Sequence, residues 1–289
     1  MRFCFVVSCF LCLLLSGNAR GQAVFSGRVG TASIELVLKE YDSAGAVEGI
    51  YVYTRHHSPI ALRGSLRNKV LTLTEKDARG NPAATLKVLA FDVNNTSATG
   101  TWKSLTTGRE LPLTLTRKFV VGDGSAKEYE LLQAADNTTS YFRLVLNSAS
   151  AVIGLKLLDK KTGRLLQQLA VDCLLRGVHS VSAGDYNFDG LADFAVHEAS
   201  YAGPNTSSLY FLYDPSKKQY VASGFSGISL EFDAKKRRIY ERNSCCAGSS
   251  VTTAEYKVVH NKMVLLAEHC YKWDEKQQKL VERKLSACQ

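Results

Sequence analysis

An all-β fold of antiparallel meanders is what this sequence predicts. Two observations carry it: short segments rich in β-branched and aromatic residues, most alternating apolar with polar, recur about every ten residues, and turn-forming clusters punctuate them. The segments fall into two sets around a glycine-containing joint at 118–124, so we expect a small N-terminal β barrel or sandwich over 22–118 and a propeller-like β domain over 119–289. Loss of residues 1–21 would leave 268 of the 289 residues. That exceeds a modal domain of roughly 100–150 residues, in keeping with two units.

The first element is a targeting segment. Arg2 precedes an apolar run over 3–15, and small residues follow, with Gly17/Ala19 or Ala19/Gly21 at the spacing of a cleavage site. This is the pattern of a secretory signal peptide, and the run is too short to span a bilayer. No later segment reaches roughly 18 consecutive apolar residues, so no membrane span is expected. A lipoprotein-like box at 6–9 comes too early to follow a hydrophobic region, so a lipid anchor is not expected and the chain is assigned to the periplasm or the exterior.

In the N-terminal set, strands are expected at 23–28, 32–39, 47–54, 60–66, 70–75, 85–92, 98–103 and 110–116. Between them lie turn residues at 42–45, 67–68, 78–82, 94–95 and 107–108. Short strands at this spacing make an antiparallel meander that curls on itself. The adjacent His56 and His57 fall at a strand end, where a solvated loop explains them better than a ligand pair.

The second set begins with strands at 129–134, 141–146, 151–158 and 165–170, with a hairpin tip at 159–163. It continues at 178–181, 194–198, 208–213 and 219–223, and then at 229–233, 238–242, 251–259, 263–272 and 280–285. Groups of about four antiparallel strands are the unit of a propeller blade. Three groups fall short of a closed ring unless the N-terminal half supplies more, so the sequence leaves closure open.

Inside the second group lies the one segment whose residue types a specific chemistry dictates. Residues 185–193 read Asp-Tyr-Asn-Phe-Asp-Gly-Leu-Ala-Asp, a DxNxDGxxD loop. A hard cation such as Ca²⁺ takes roughly 6 to 8 oxygens, and this spacing offers the side chains of Asp185, Asn187, Asp189 and Asp193, the Leu191 carbonyl, and Gly190 for the sharp turn. The bidentate Glu that closes an EF-hand is missing and the flanks look like strand, so a calcium site stapling two strands is expected, structural rather than catalytic. An Asx-rich turn without metal would crowd like charges for no gain.

Of eight cysteines, Cys4, Cys9 and Cys12 would leave with the signal peptide, and Cys173, Cys245, Cys246, Cys270 and Cys288 would stay. Export favours disulfides, and no spacing suggests zinc. The hairpin register places the Cys245–Cys246 loop and Cys270 toward one end of the last sheet, so a bridge between them is expected, with Cys288 tying the tail elsewhere, to Cys173 for example. The odd count implies a free thiol or an intermolecular bridge.

The formal charge of +9 becomes +8 or +7 without Arg2 and Arg20, and the only basic run, 235–238, fits a solvated hairpin tip. With no interleaving of basic and aromatic residues, nucleic acid is not an expected partner. Glycosylation sequons occur at Asn94, Asn95, Asn137 and Asn205. No GxSxG, HExxH, Walker or dinucleotide motif occurs, and Glu198 near Asp193 is the only carboxylate pair worth inspecting, so no enzyme is expected.

Residues 184–190, Asp193-Phe194, Ala202-Gly203-Pro204-Asn205, 210–215 and 230–233 together resemble a family of exported bacterial proteins. The best understood member of that family is the periplasmic immunity protein against a lysozyme-like effector of an antibacterial type IV secretion system. The resemblance covers roughly the last 110 residues. It implies a calcium-stabilised, propeller-like protein that inhibits a peptidoglycan hydrolase by binding it. The vicinal Cys245-Cys246 pair and the cysteine-bearing tail depart from that pattern.

Such an inhibitor needs a rigid, polar, protruding loop that enters a glycan cleft. Residues 199–207 fit, with Tyr201, Gly203, Pro204 and Asn205 as the expected contact residues. The alternative from another class is a calcium-dependent envelope adhesion or scaffold module, since integrin-like propeller repeats use the same loop; a single copy here counts against it.

Overall fold

The computed structural model describes residues 22–40, 45–77 and 79–288, so the expected signal peptide, residues 1–21, lies outside the described residues. Eight strands, β1 (Ala23–Val29), β2 (Ala32–Glu40), β3 (Ala46–Tyr53), β4 (Ile60–Arg67), β5 (Val70–Lys76), β6 (Pro82–Val88), β7 (Ser97–Ser104) and β8 (Glu110–Val120), pair antiparallel in chain order. β1 closes on β8, from Val29 opposite Leu113 to Ala23 opposite Val120, with one register shift between Val24 and Phe25. The result is a closed barrel, which removes the unpaired edges a sandwich would keep. Alternation sends Phe25, Leu36, Tyr51, Leu62, Leu73, Leu86 and Leu115 inward, where they fill the interior.

Part of the barrel's outer face is buried as well. Val24, Val37, Ile50 and Val52 alternate with the inward residues, yet each is 0% exposed, because the next sheet packs over β1, β2 and β3. Each such side chain contributes roughly 1.5–3 kcal/mol relative to an exposed one. On the same outer face Glu35 accepts two hydrogen bonds of 2.9 Å from the Arg143 guanidinium. Burial lowers the Arg143 pKa, but the bonds to Glu35 and its charge outweigh burial and leave it raised. His57 stacks on Tyr141 at 4.6 Å, and its Nδ1 lies 3.0 Å from the Lys160 carbonyl. The histidine pair therefore sits partly in the seam between barrel and sheet.

Three open meander sheets follow. The first holds β9 (Glu128–Asp136), β10 (Ser140–Asn147), β11 (Val152–Asp159) and β12 (Leu165–Cys173). The second holds β13 (Val181–Gly184), β14 (Asp193–Ser200), β15 (Thr206–Asp214) and β16 (Gln219–Ala222). The third holds β17 (Glu231–Asp233), β18 (Arg238–Cys245), β19 (Ser250–Val259), β20 (Lys262–Asp274) and β21 (Lys279–Arg283). One apolar core joins the barrel face to the first and second sheets through Phe142, Phe194 and Tyr220. A separate core of Phe188, Tyr210, Leu212, Phe225 and Ile239 joins the second sheet to the third.

One expected strand is displaced. Residues 178–181 are read as strand from sequence, but Gly177–His179 forms a 3₁₀ turn and β13 starts at Val181. Gly177 has a φ of 86°, which a strand does not use. Buried Gln133 then receives the Ser180 and Val181 N–H groups at 3.1 and 3.3 Å, which satisfies the interrupted backbone.

The disulfide expectation is corrected. Cys270 bonds Cys288, while Cys173, Cys245 and Cys246 are free. Cys245 lies opposite Ser250 on β19, and Ser250 lies opposite Lys272 on β20. Cys245 is thus two strands from β20, about 9–10 Å, beyond the reach of a disulfide. Cys288 reaches Cys270 because the chain reverses after Arg283 through the 3₁₀ turn Leu285–Ala287, bringing the two Cα atoms to 5.8 Å.

Candidate metal centre

The DxNxDGxxD segment is the connection between β13 and β14, whose pairing ends with Gly184 opposite Asp193. Its apolar residues anchor it. Tyr186 packs edge-on to Tyr210 and Phe232 at 5.0 and 4.7 Å, and Phe188 is buried in the core between the second and third sheets. Phe188 and Gly190 take φ of 64° and 88°, and these two left-handed residues turn the loop.

The polar residues between them collect amide donors. The Asp185 carboxylate accepts the Asp189 and Gly190 N–H groups at 3.1 and 2.9 Å. Asp189 accepts the Leu191 N–H and the Asn187 amide, each at 2.8 Å. Asp193, at 2% exposure, accepts the Tyr186 N–H at 2.9 Å and, from β15, the Tyr213 N–H at 2.8 Å. One buried carboxylate thereby ties the loop to two neighbouring strands.

Electrostatics leave this loop unbalanced. Burial raises the Asp193 pKa, the Tyr213 and Tyr186 amides oppose that, and the charges of Asp189 and Asp185 push it up further. Among the described residues no Lys, Arg or His forms an ion pair with Asp185, Asp189 or Asp193. Arg237 donates to the Phe188 carbonyl within the loop. Also among the described residues, no three His, Cys, Asp or Glu side chains converge as a ligand group. Any cation would therefore draw on the Asn187 oxygen and the Leu191 carbonyl as well. Hard oxygen donors around uncompensated negative charge fit Ca²⁺ chemistry better than that of a softer metal.

Two grips on the loop come from residues that sequence reading passed over. Asn187 donates to Asn261 Oδ1 at 3.0 Å, and Arg237 reaches Phe188; both belong to hairpin tips of the third sheet. Neither has a local motif, so only the register that places these tips beside the loop could reveal them.

The expected contact loop connects β14 to β15 and divides into two parts. Tyr201, Ala202, Gly203 and Pro204 are exposed, Tyr201 by 50%, and the loop is closed by Tyr201 N–H to the Asn205 carbonyl at 2.9 Å. Asn205 does not share that exposure. It is buried and donates to Asn243 Oδ1 and the Ser244 carbonyl at 3.0 and 2.7 Å, while its own oxygen accepts the Ser244 N–H at 3.0 Å. Its side chain clamps the second sheet to β18 and is corrected from contact residue to support.

Beside the 185–193 loop, between the first and second sheets, lies a cleft of about 380 Å³ lined by Leu191, Ala192, Tyr213, Tyr220, Asn137 and Leu166. Leu191 and Ala192 belong to the loop itself, so its conformation shapes one wall. Of the carboxylates flagged from sequence, Asp193 is committed to the Tyr186 and Tyr213 backbone amides.

No family profile and no curated protein matches the chain. Among solved structures it is similar to a Xanthomonas type IV secretion system related protein, at 12% identity over 90% of this chain and 99% of that one, with a TM-score of 0.27. It is also similar to the β-propeller domain of the Trilobed protease from Pyrococcus furiosus, at 6% identity over 91% of this chain and 85% of that one, with a TM-score of 0.28. A protein from Lactobacillus plantarum gives 12% identity, 91% and 95% coverage and a TM-score of 0.27. Likenesses this distant carry no argument about what the chain binds, and the fold rests on the strand pairing described above.

Proposed function

We propose that this chain is an exported, calcium-stabilised binding protein that inhibits a lysozyme-like peptidoglycan hydrolase by docking to it, as an antibacterial immunity protein, and performs no reaction of its own. The observation that carries the reading is the metal loop: three carboxylates, one of them buried, with no basic ion-pair partner among the described residues. In this reading Asp185, Asn187, Asp189, Asp193 and the Leu191 carbonyl draw together around Ca²⁺, which offsets the loop's negative charge and supplies no nucleophile.

Support for docking comes from what the loop holds up. β14 leaves the metal loop at Asp193 and ends at Ser200, directly before the exposed segment 201–204. A calcium-braced strand lowers the ordering cost of presenting Tyr201, an aromatic of the kind enriched at binding hot spots. The partner assignment itself rests on the sequence resemblance. No helix among the described residues is long and apolar enough to cross a membrane, and the Cys270–Cys288 bridge accords with an exported chain.

The test is inhibition of cell-wall lysis by lysozyme-like hydrolases encoded beside this chain's gene. Stoichiometric protein should suppress muralytic activity in calcium, and the Tyr201→Ala variant should inhibit less. Full hydrolase activity in the presence of excess protein would remove the inhibitor reading and leave an envelope scaffold.

A further inference from the structure

Cys245 and Cys246 are free, adjacent and exposed in a chain that already carries a disulfide. They end β18 and open a tight turn in which Cys246 and Ala247 take φ of 56° and 53° and Gly248 one of 84°. Two successive non-glycine residues in the left-handed region are uncommon. The Cys246 carbonyl is held there by the Ser249 N–H and hydroxyl at 3.1 and 2.8 Å.

The turn lies close to the bridge. Cys245 is the register partner of Ser250, and the Ser250 hydroxyl is 3.6 Å from Cys288 Sγ. Cross-strand partners project to the same face, so the Cys245 side chain lies on the same side of the sheet as the Ser250 hydroxyl. One buried hydroxyl therefore contacts a disulfide sulfur and is the cross-strand partner of a free cysteine, with a second free cysteine next in the chain. Cys270 is 0% exposed, whereas Cys288 is only half-buried, so Cys288 is the sulfur open to attack.

We propose that these four cysteines form a thiol–disulfide exchange site in which the bridge migrates between Cys270–Cys288 and Cys245–Cys246. Cys245, as thiolate, attacks Cys288 Sγ; the bond to Cys270 breaks, and Cys270 leaves as thiolate and takes up the proton that Cys245 released. Cys246, as thiolate, then attacks Cys245 Sγ and expels Cys288, which takes up the proton from Cys246. One disulfide breaks and one forms, and two thiols are exchanged for two thiols, so no outside oxidant or reductant is needed. The consequence is release of the C-terminal tail. In the exchanged form, Cys288 and the turn Leu285–Ala287 lose their covalent tie to β20.

Two features set the rate. Cys246 beside it and desolvation raise the Cys245 pKa and outweigh Lys272 and Ser250, which lower it, so the thiolate is a minor form near neutrality and the exchange speeds up as pH rises. Expelling Cys270 into a buried site is unfavourable, so the exchange belongs at the slow end of the seconds-to-hours range of disulfide reshuffling.

The experiment is peptide mapping of dilute, non-reduced protein held at about pH 8.5, near the ordinary thiol pKa, then acid-quenched, alkylated and digested with trypsin. The cysteines fall in separate peptides, 243–257, 263–272 and 285–289. Wild type should yield both the cross-link of 263–272 to 285–289 and a fraction of peptide 243–257 that is lighter by two hydrogens and resists alkylation. Cys246→Ser should stop the exchange halfway, linking 243–257 to 285–289 and leaving Cys270 open to alkylation, and Cys245→Ser should abolish both new species. Complete alkylation of Cys245 and Cys246 in wild type at every time point, with only the original cross-link in Cys246→Ser, would overturn the proposal. The wild-type readout needs no variant to fold and does not depend on any hydrolase or on calcium.

Discussion

Replacing Asp189 by Asn tests the electrostatics of the metal loop with minimal change of shape. The Asn keeps an oxygen for the Leu191 N–H at 2.8 Å but turns an amide toward the Asn187 amide, losing one hydrogen bond worth about 0.5–1.5 kcal/mol. Against that, one of the two charges pushing up the Asp193 pKa disappears, a relief of roughly 1 kcal/mol or less for a partly solvated pair. In chelator the variant should therefore stay within about 1 kcal/mol of wild type. Calcium separates them. At a hundredfold excess over its dissociation constant the ion stabilises wild type by about 2.7 kcal/mol, and a tenfold loss of affinity removes about 1.3 kcal/mol of that. For a chain of this size the difference is roughly 3–5 °C in Tm. Thermal unfolding of both proteins by circular dichroism, in calcium and in chelator, reads it. An equal calcium response in wild type and variant would refute the ligand role of Asp189.

Arg143→Ala should destabilise by about 3–5 kcal/mol in urea unfolding, because it strands the buried Glu35 carboxylate between barrel and first sheet; a loss under about 1 kcal/mol would contradict the described seam. Asn205→Ala should cost about 2–4 kcal/mol through its three lost bonds to Asn243 and Ser244, whereas Tyr201→Ala should leave stability within about 0.5 kcal/mol while weakening hydrolase inhibition. For pH, the folded Asp193 carboxyl titrates above its unfolded value of 3.8. Its stabilising contribution is complete below that value and is lost as pH rises through the folded pKa, so in chelator wild type should lose stability relative to Asp193→Asn as pH rises from about 4 to 7. With the ionised carboxylate as the proposed ligand, the trend should reverse in calcium; parallel curves in both buffers would contradict the assignment.

The strand plan was legible because alternation and turn residues encode it locally. All eight barrel strands and the later meanders overlap the segments read from sequence, and only 178–181 is displaced, where Gly177 and the buried Gln133 favour a 3₁₀ turn. The run Ile50-Tyr51-Val52 already departs from strict alternation, which is how burial on both faces shows in sequence. That 185–193 forms a tight polar turn between two strands was readable from spacing, but its supports, Arg237 and Asn261, lie 49 and 74 residues from their partners and carry no motif. Asn205 misled because a polar residue in a Gly-Pro turn reads as exposed, while its burial depends on β18 passing beneath it. The disulfide escaped for a similar reason: strand register fixes Cys270, but a five-residue reversal after Arg283 decides where Cys288 arrives.

Calorimetric titration of Ca²⁺ into the purified chain tests the central claim most directly. Saturable heat with one ion bound per chain, lost or strongly weakened in the Asp185→Asn, Asp189→Asn double variant, is the predicted result. No heat of binding in wild type, together with a melting temperature indifferent to chelator, would contradict it.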